Sequence, residues 1–134
     1  MAQNITVGIK ELCGKAKAEI DEVDVAEAQR MQADDNALIV DIRDIRELWR
    51  DGVIPGATHA PRGMLEFWID PDSPYFKDVF AEDKKFVFHC ASGWRSALSV
   101  ATLNDMGFEA AHLKEGFSTW ADQGGPVEMP EPRK

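Results

Sequence analysis

No stretch of this 134-residue chain is apolar for long enough to cross a bilayer, and cysteine occurs only twice, at Cys13 and Cys90. The first absence removes transmembrane helices from consideration. The second removes a disulfide framework and makes a reducing cytoplasm the default compartment. Basic residues are also outnumbered, with 15 Lys and Arg against 24 Asp and Glu, for a net charge of −9. That balance lacks the footprint of a general nucleic-acid or anionic-membrane binder and leaves room only for a local basic pocket. The opening residues MAQNITVGIKELCGK hold no basic stretch followed by a continuous apolar run, so no signal peptide is expected. No internal repeat is visible. The one compositionally biased segment is the tail GGPVEMPEPRK, expected to be extended and partly mobile.

What is present suits one soluble domain. A content of 44% hydrophobic and 29% charged residues is ordinary, and the chain is long enough to bury a core without staples. Ile5, Ile9, Leu12, Cys13, Ala16 and Ile20 recur at helical spacing, predicting an N-terminal amphipathic helix whose stripe covers its own domain or a second subunit. Asp24 with Glu27, and Asp44 with Glu47, have the spacing of capping boxes that open two further helices, the second stopped by Gly52. ALIVDIR and KKFVFHC read as strands buried on both faces, THAP as a brief extended piece, and EAAHL as another strand. Gly63 to Asp83, with Pro71 and Pro74, predicts a short helix and an irregular excursion. A helix from Ser96 to Met106 and a last one over FSTWADQ complete an alternation that implies an α/β domain with a largely parallel sheet. Sites in such sheets form beyond the carboxyl ends of the strands.

Cys90 stands at such an end, in FVFHCASGWRS. A thiolate is the nucleophilic form of cysteine, and a helix N-terminus with a nearby cation favours it. Ala91, Ser92, Gly93, Trp94 and Arg95 turn the chain, and Ser96 is expected to begin the helix, its hydroxyl capping it or donating inward. Successive N–H groups of such a loop form an anion nest, Gly93 permits the turn, and Arg95 adds donors suited to an oxyanion. A strand-end cysteine alone would be read as a core residue; glycine, arginine and serine at this spacing favour a catalytic thiol. Four residues separate Cys90 from Arg95. Cysteine-dependent phosphatases resemble one another in having five, so the shorter loop suits one sulfur on the cysteine better than a phosphoryl group.

CASGWRS resembles the active-site loop of the rhodanese family of sulfurtransferases. VDIRDIRELWRDGVIPGATHAPRG resembles that family's first signature, and GFEAAHLKEGFSTWADQGGPV its closing one. The resemblance covers residues 22–127, leaving residues 1–21 as an N-terminal helical extension and residues 128–134 as a Pro-rich tail. It implies a rhodanese-like three-layer α/β sandwich, a parallel five-stranded sheet with helices on both faces. It also implies a Cys90 persulfide, formed from a small sulfur donor such as thiosulfate and discharged to cyanide in assay or to a thiol, a protein thiol included. No cofactor is implied. A persulfide carrier for a partner protein, and a phosphatase or arsenate reductase, are the rival readings.

The remaining candidates divide between chemistry and support. Asp41 and Arg43 match the family's Asp-x-Arg positions, as an ion pair orienting loops or as support for the pocket. His59 is expected to hydrogen bond within its turn. A metal site built from His59, His89, Cys90 and His112 is disfavoured, because adjacent His89 and Cys90 point to opposite faces of a strand. Trp94 is a candidate for the pocket rim, and Phe67 and Trp68 for rim or core. Cys13 reads as a core-facing small hydrophobe. Asp70, Asp72, Asp78, Glu82 and Asp83 form a solvated acidic face able to favour a basic partner.

Overall fold

Short runs of branched and aromatic residues make the centre of the molecule. In the computed structural model, which describes residues 2–130, they lie in a sheet of five parallel strands. These are β1 (Asp21–Val23), β2 (Leu38–Asp41), β3 (Thr58–His59), β4 (Phe86–His89) and β5 (Ala111–Leu113), in the order β1-β5-β4-β2-β3. Side chains alternate between the faces of a strand, so β4 feeds two cores. Phe86, Phe88 and Cys90 pack with Val40, Ile42, Leu65, Val100 and Leu103 on one face. Val87 packs with Ile39, Ala28, Leu113, Phe117 and Trp120 on the other.

Helices cover both faces. Helices α4 (Leu65–Ile69) and α5 (Trp94–Asp105) contribute to the first core, and α2 (Val25–Asp34) and α6 (Gly116–Asp122) to the second. Helix α3 (Ile45–Asp51) follows β2, and α1 (Ile9–Glu19) lies outermost, packed on α5. This is the three-layer sandwich expected from the sequence. The capping residues act as their types dictate. Asp24 accepts from the Glu27 N–H at 2.8 Å. Asp44 and Glu47 form a reciprocal box, Arg46 N–H donating to Asp44 and Asp44 N–H to Glu47. Gly52 ends α3 with φ +90°.

Four features depart from the sequence reading. Helix α1 starts at Ile9, not Ile5, and only Cys13 and Ala16 are buried, while Ile5, Ile9 and Leu12 are exposed. The two small side chains let α1 approach α5, Ile20 packs against the first core, and the other bulky members of the stripe turn outward. Strand β1 was not anticipated: it is an edge strand of three residues with the polar sequence Asp-Glu-Val. Helix α5 begins at Trp94 rather than Ser96, because Gly93 adopts φ +91° and turns the chain earlier. The tail is pinned through Glu128, which exchanges backbone hydrogen bonds of 2.8 and 2.9 Å with Val53, while Trp120 Nε1 donates to the Pro126 carbonyl. Met1 of the N-terminal extension and residues 131–134 of the tail lie outside the described residues. No helix among the described residues is long and apolar enough to cross a membrane.

Candidate active site

Strand β4 ends at His89 and leaves Cys90 at the sheet's carboxyl edge, 1% exposed. The loop beyond it is shaped from outside. The Cys90 carbonyl accepts the Phe117 N–H at 2.8 Å and the Ala91 carbonyl the Ser118 N–H at 3.1 Å, both from α6. With its carbonyls tied outward, the loop turns N–H groups inward: Gly93 N–H lies 3.1 Å and Ser96 N–H 3.4 Å from Cys90 Sγ. The Ser96 hydroxyl lies 3.5 Å from the same sulfur and 2.8 Å from His112 Nδ1. Two glycines make this shape possible. A β-carbon on Gly93 would overlap the Lys114 carbonyl, and one on Gly116 would press into the Ala91–Ser92 peptide.

Sulfur bound by converging N–H donors at a helix start is suited to negative charge. Of the loop expected to form a nest, the Gly93 and Ser96 N–H groups lie nearest the sulfur, and the Ser96 hydroxyl turns inward rather than capping α5. Ala91 is half-buried, and Ser92 and Trp94 are exposed. Phe67 is exposed against Tyr75, and Trp68 packs on the first core beneath Lys77.

Arg95 lies close enough to Cys90 for its charge to act on the thiol, and it is also committed to an ion pair that the sequence did not announce. Its guanidinium holds Glu47 through two bonds of 2.9 Å, joining the N-termini of α3 and α5. The Arg95 pair, helped by the Asp44 N–H, holds the Glu47 carboxyl below the usual range, and Glu47 in turn raises Arg95.

Asp41 and Arg43 leave β2 beside Cys90 but do not face its sulfur. They form a buried pair, Nη2 to Oδ2 at 2.7 Å, with each side chain 1% exposed. Arg43 also donates to the Gly52 carbonyl and lies over the Phe117 ring at 4.1 Å, so it braces the residue whose N–H fixes the Cys90 carbonyl. Burial would raise the Asp41 carboxyl, but the hydrogen bonds and charge of Arg43 hold it below its ordinary value. His89, fully buried, donates Nδ1–H to the Cys90 carbonyl at 3.1 Å, and burial pushes its pKa down. His59 Nε2–H donates to the Arg43 carbonyl at 2.7 Å, the turn role expected of it. Cys13 is buried against α5, its sulfur 3.8 Å from the Trp94 carbonyl.

Glu47, His112 and Glu22 were missed as site residues. Glu47 was visible only as a helix cap, and His112 only as a weak metal ligand. The contact of His112 with Glu22 depends on β1 pairing with β5, where the two residues are register partners.

Comparison with known proteins covers most of the chain. The profile of the Rhodanese-like domain family matches residues 24–123. A sulfurtransferase of Allochromatium vinosum is 30% identical over 105 residues, 78% of this chain and 90% of its own. The Bacillus subtilis protein YtwF is 29% identical over 109 residues, 81% of this chain and 97% of its own. A solved structure from Rhodopseudomonas palustris, of a protein of unknown function described as a possible tyrosine phosphatase, superimposes with a TM-score of 0.90. It is 53% identical, covering 96% of this chain and 99% of that one.

Proposed function

Because this chain belongs to the rhodanese-like domain family, we propose that it is a sulfurtransferase that carries sulfane sulfur on Cys90. The observation that carries the reading is the Cys90 sulfur held by the Gly93 and Ser96 N–H groups at a helix start. With thiosulfate as donor, the Cys90 thiolate attacks the outer sulfur. A Cys90 S–S bond forms, the donor S–S bond breaks, and sulfite leaves with its electron pair. The persulfide anion sits where the N–H groups converge. An acceptor thiolate, or cyanide in assay, then attacks the outer sulfur and Cys90 departs as thiolate. Two half-reactions of this kind give ping-pong kinetics. The reading takes the cytoplasm as its compartment, since both thiols are free and a reducing environment keeps them so.

A second reading arises from the phosphatase description of the Rhodopseudomonas palustris relative. Cleavage of a phosphate ester asks for an acid to protonate the leaving oxygen. Glu47, the carboxyl beside Arg95, is kept ionised by that arginine, and Asp41 is locked in its buried pair. The four-residue spacing from Cys90 to Arg95 also counts against a phosphoryl cradle.

Incubation with thiosulfate followed by intact mass measurement separates these readings. A single added sulfur is expected in the native chain and none in Cys90→Ser. An equal adduct in both would overturn the persulfide. Phosphate-ester hydrolysis lost in Cys90→Ser, without sulfur loading, would establish the phosphatase instead. Transfer to protein thiols that outpaces transfer to cyanide would mark a dedicated carrier.

A further inference from the structure

The Cys90 thiol is buried, yet it must lose a proton to react. The structure supplies one continuous path for that proton. Cys90 Sγ lies 3.5 Å from Ser96 Oγ, Ser96 Oγ 2.8 Å from His112 Nδ1, and His112 Nε2 2.8 Å from Glu22 Oε2. Ser96 and His112 are fully buried, whereas the Glu22 side chain, on edge strand β1, is 22% exposed.

The hydrogen-bond directions follow from the groups themselves. A carboxylate only accepts, so Nε2 carries the imidazole proton and Nδ1 is left as an acceptor. The Ser96 hydroxyl therefore donates to Nδ1, which leaves its oxygen lone pairs free to accept from the Cys90 thiol. Every bond in the chain then points away from the sulfur.

We propose that Ser96, His112 and Glu22 form a proton relay that takes the Cys90 thiol proton at the start of each turnover and returns it at the end. In this relay Ser96 is the group in contact with the reacting sulfur. His112 acts through Ser96 and Glu22 acts through His112, so both are positioning residues. The assignment rests on Cys90 being the nucleophile.

The step balances without any added reactant. As the thiol proton passes to Ser96 Oγ, the serine proton passes to His112 Nδ1, and the electron pair stays on sulfur. Glu22 remains a carboxylate and holds the resulting imidazolium. During the persulfide stage that imidazolium is the countercharge to the sulfur anion. When the acceptor removes the outer sulfur, the Cys90 thiolate takes the proton back.

The surroundings of His112 suit a base that is neutral at rest. Burial lowers its pKa, Glu22 from β1 opposes the shift, and Lys17 from α1 adds to it. Its register partner on β4 is Phe88, which carries no charge, and α5 presents only the Ser96 hydroxyl.

The test reads the thiol and not sulfur transfer. In a Cys13→Ala background, the rate of Cys90 alkylation by iodoacetamide is followed from about pH 5 to about pH 10. His112→Gln and Ser96→Ala are each expected to move the rise of the profile about one pH unit higher. That shift slows alkylation about tenfold at neutral pH while the alkaline plateau stays that of the parent. Glu22→Gln keeps an acceptor on Nε2 but removes the charge, so the same shift is expected at about a third of the size. Unchanged profiles in these variants would overturn the relay. So would rates lowered equally at every pH, plateau included, which is the mark of a purely structural role. Should His112→Gln fail to fold, Glu22→Gln, at the sheet edge, decides by the same criterion. A shifted profile without thiosulfate loading would remove the sulfurtransferase reading and keep the relay. Loading with an unshifted profile would do the reverse.

Discussion

Gly93 meets two demands that no other residue satisfies together: φ +91° and the Lys114 carbonyl where a β-carbon would stand. Alanine there must displace either the loop or the start of α6, and both positions fix the N–H aimed at Cys90. Gly93→Ala is expected to cost about 1–3 kcal/mol in urea unfolding and to slow persulfide formation on the order of a hundredfold. An unchanged midpoint with unchanged loading would contradict the geometry. Residues of this kind were legible in the sequence because Cys90, Gly93 and Ser96 meet within one short loop. Glu47 and Arg95 are 48 residues apart, and Glu22 and His112 are 90 apart. No local pattern brings such pairs together; the sheet order does.

At the scale of elements, Glu47 joins two helix starts, accepting from the Asp44 N–H on its own helix and from Arg95 at the mouth of the site. Glutamine can keep the cap but surrenders the charge. Glu47→Gln is therefore expected to leave α3 in place, free Arg95 and remove one negative charge from the path of an anionic donor. The KM for thiosulfate should fall about two- to fivefold, in line with the coupling energy of exposed pairs, with kcat little changed. A KM that rises or stays put would show that Arg95 does not meet the donor. The capping boxes and buried strands declared themselves because their signals are short-range. Strand β1 did not, since three residues with two acids carry no strand pattern until β5 pairs with them. The stripe of α1 misled for a related reason: periodicity identifies a helix but not which of its residues will find a neighbour.

For the whole molecule, two imidazoles buried in the neutral form couple folding to pH. His89 faces Asp41 from β2, with Arg43 and Arg95 nearby, and His112 faces Glu22 and Lys17; burial lowers both from 6.5. Unfolded chains take up these protons near pH 6.5, whereas the folded chain takes them up only at lower pH. Stability from this source is full above pH 6.5 and is lost as pH falls through the folded values. The loss approaches about 1.4 kcal/mol per pH unit for each imidazole. Urea midpoints measured from about pH 8 down to about pH 5 should decline on this pattern, and less steeply in His89→Gln. A flat series would overturn it. The architecture as a whole was readable from the alternation of strands and helices, while the pinning of the tail by Val53 was not, because a single antiparallel bridge leaves no periodic trace.

The two hydrogen bonds from α6 that hold the Cys90 and Ala91 carbonyls have a consequence for the nascent chain. A ribosome delivers the cysteine well before Phe117 and Ser118, the residues whose N–H groups shape its loop. Until those residues emerge, the thiol lacks the turn that aims donors at it, and β1 gains its partner β5 only a few residues earlier. The shaped loop therefore arrives late in synthesis, just after closure of the sheet. A chain cut short before Gly116 would carry the cysteine without the hydrogen bonds that shape its loop.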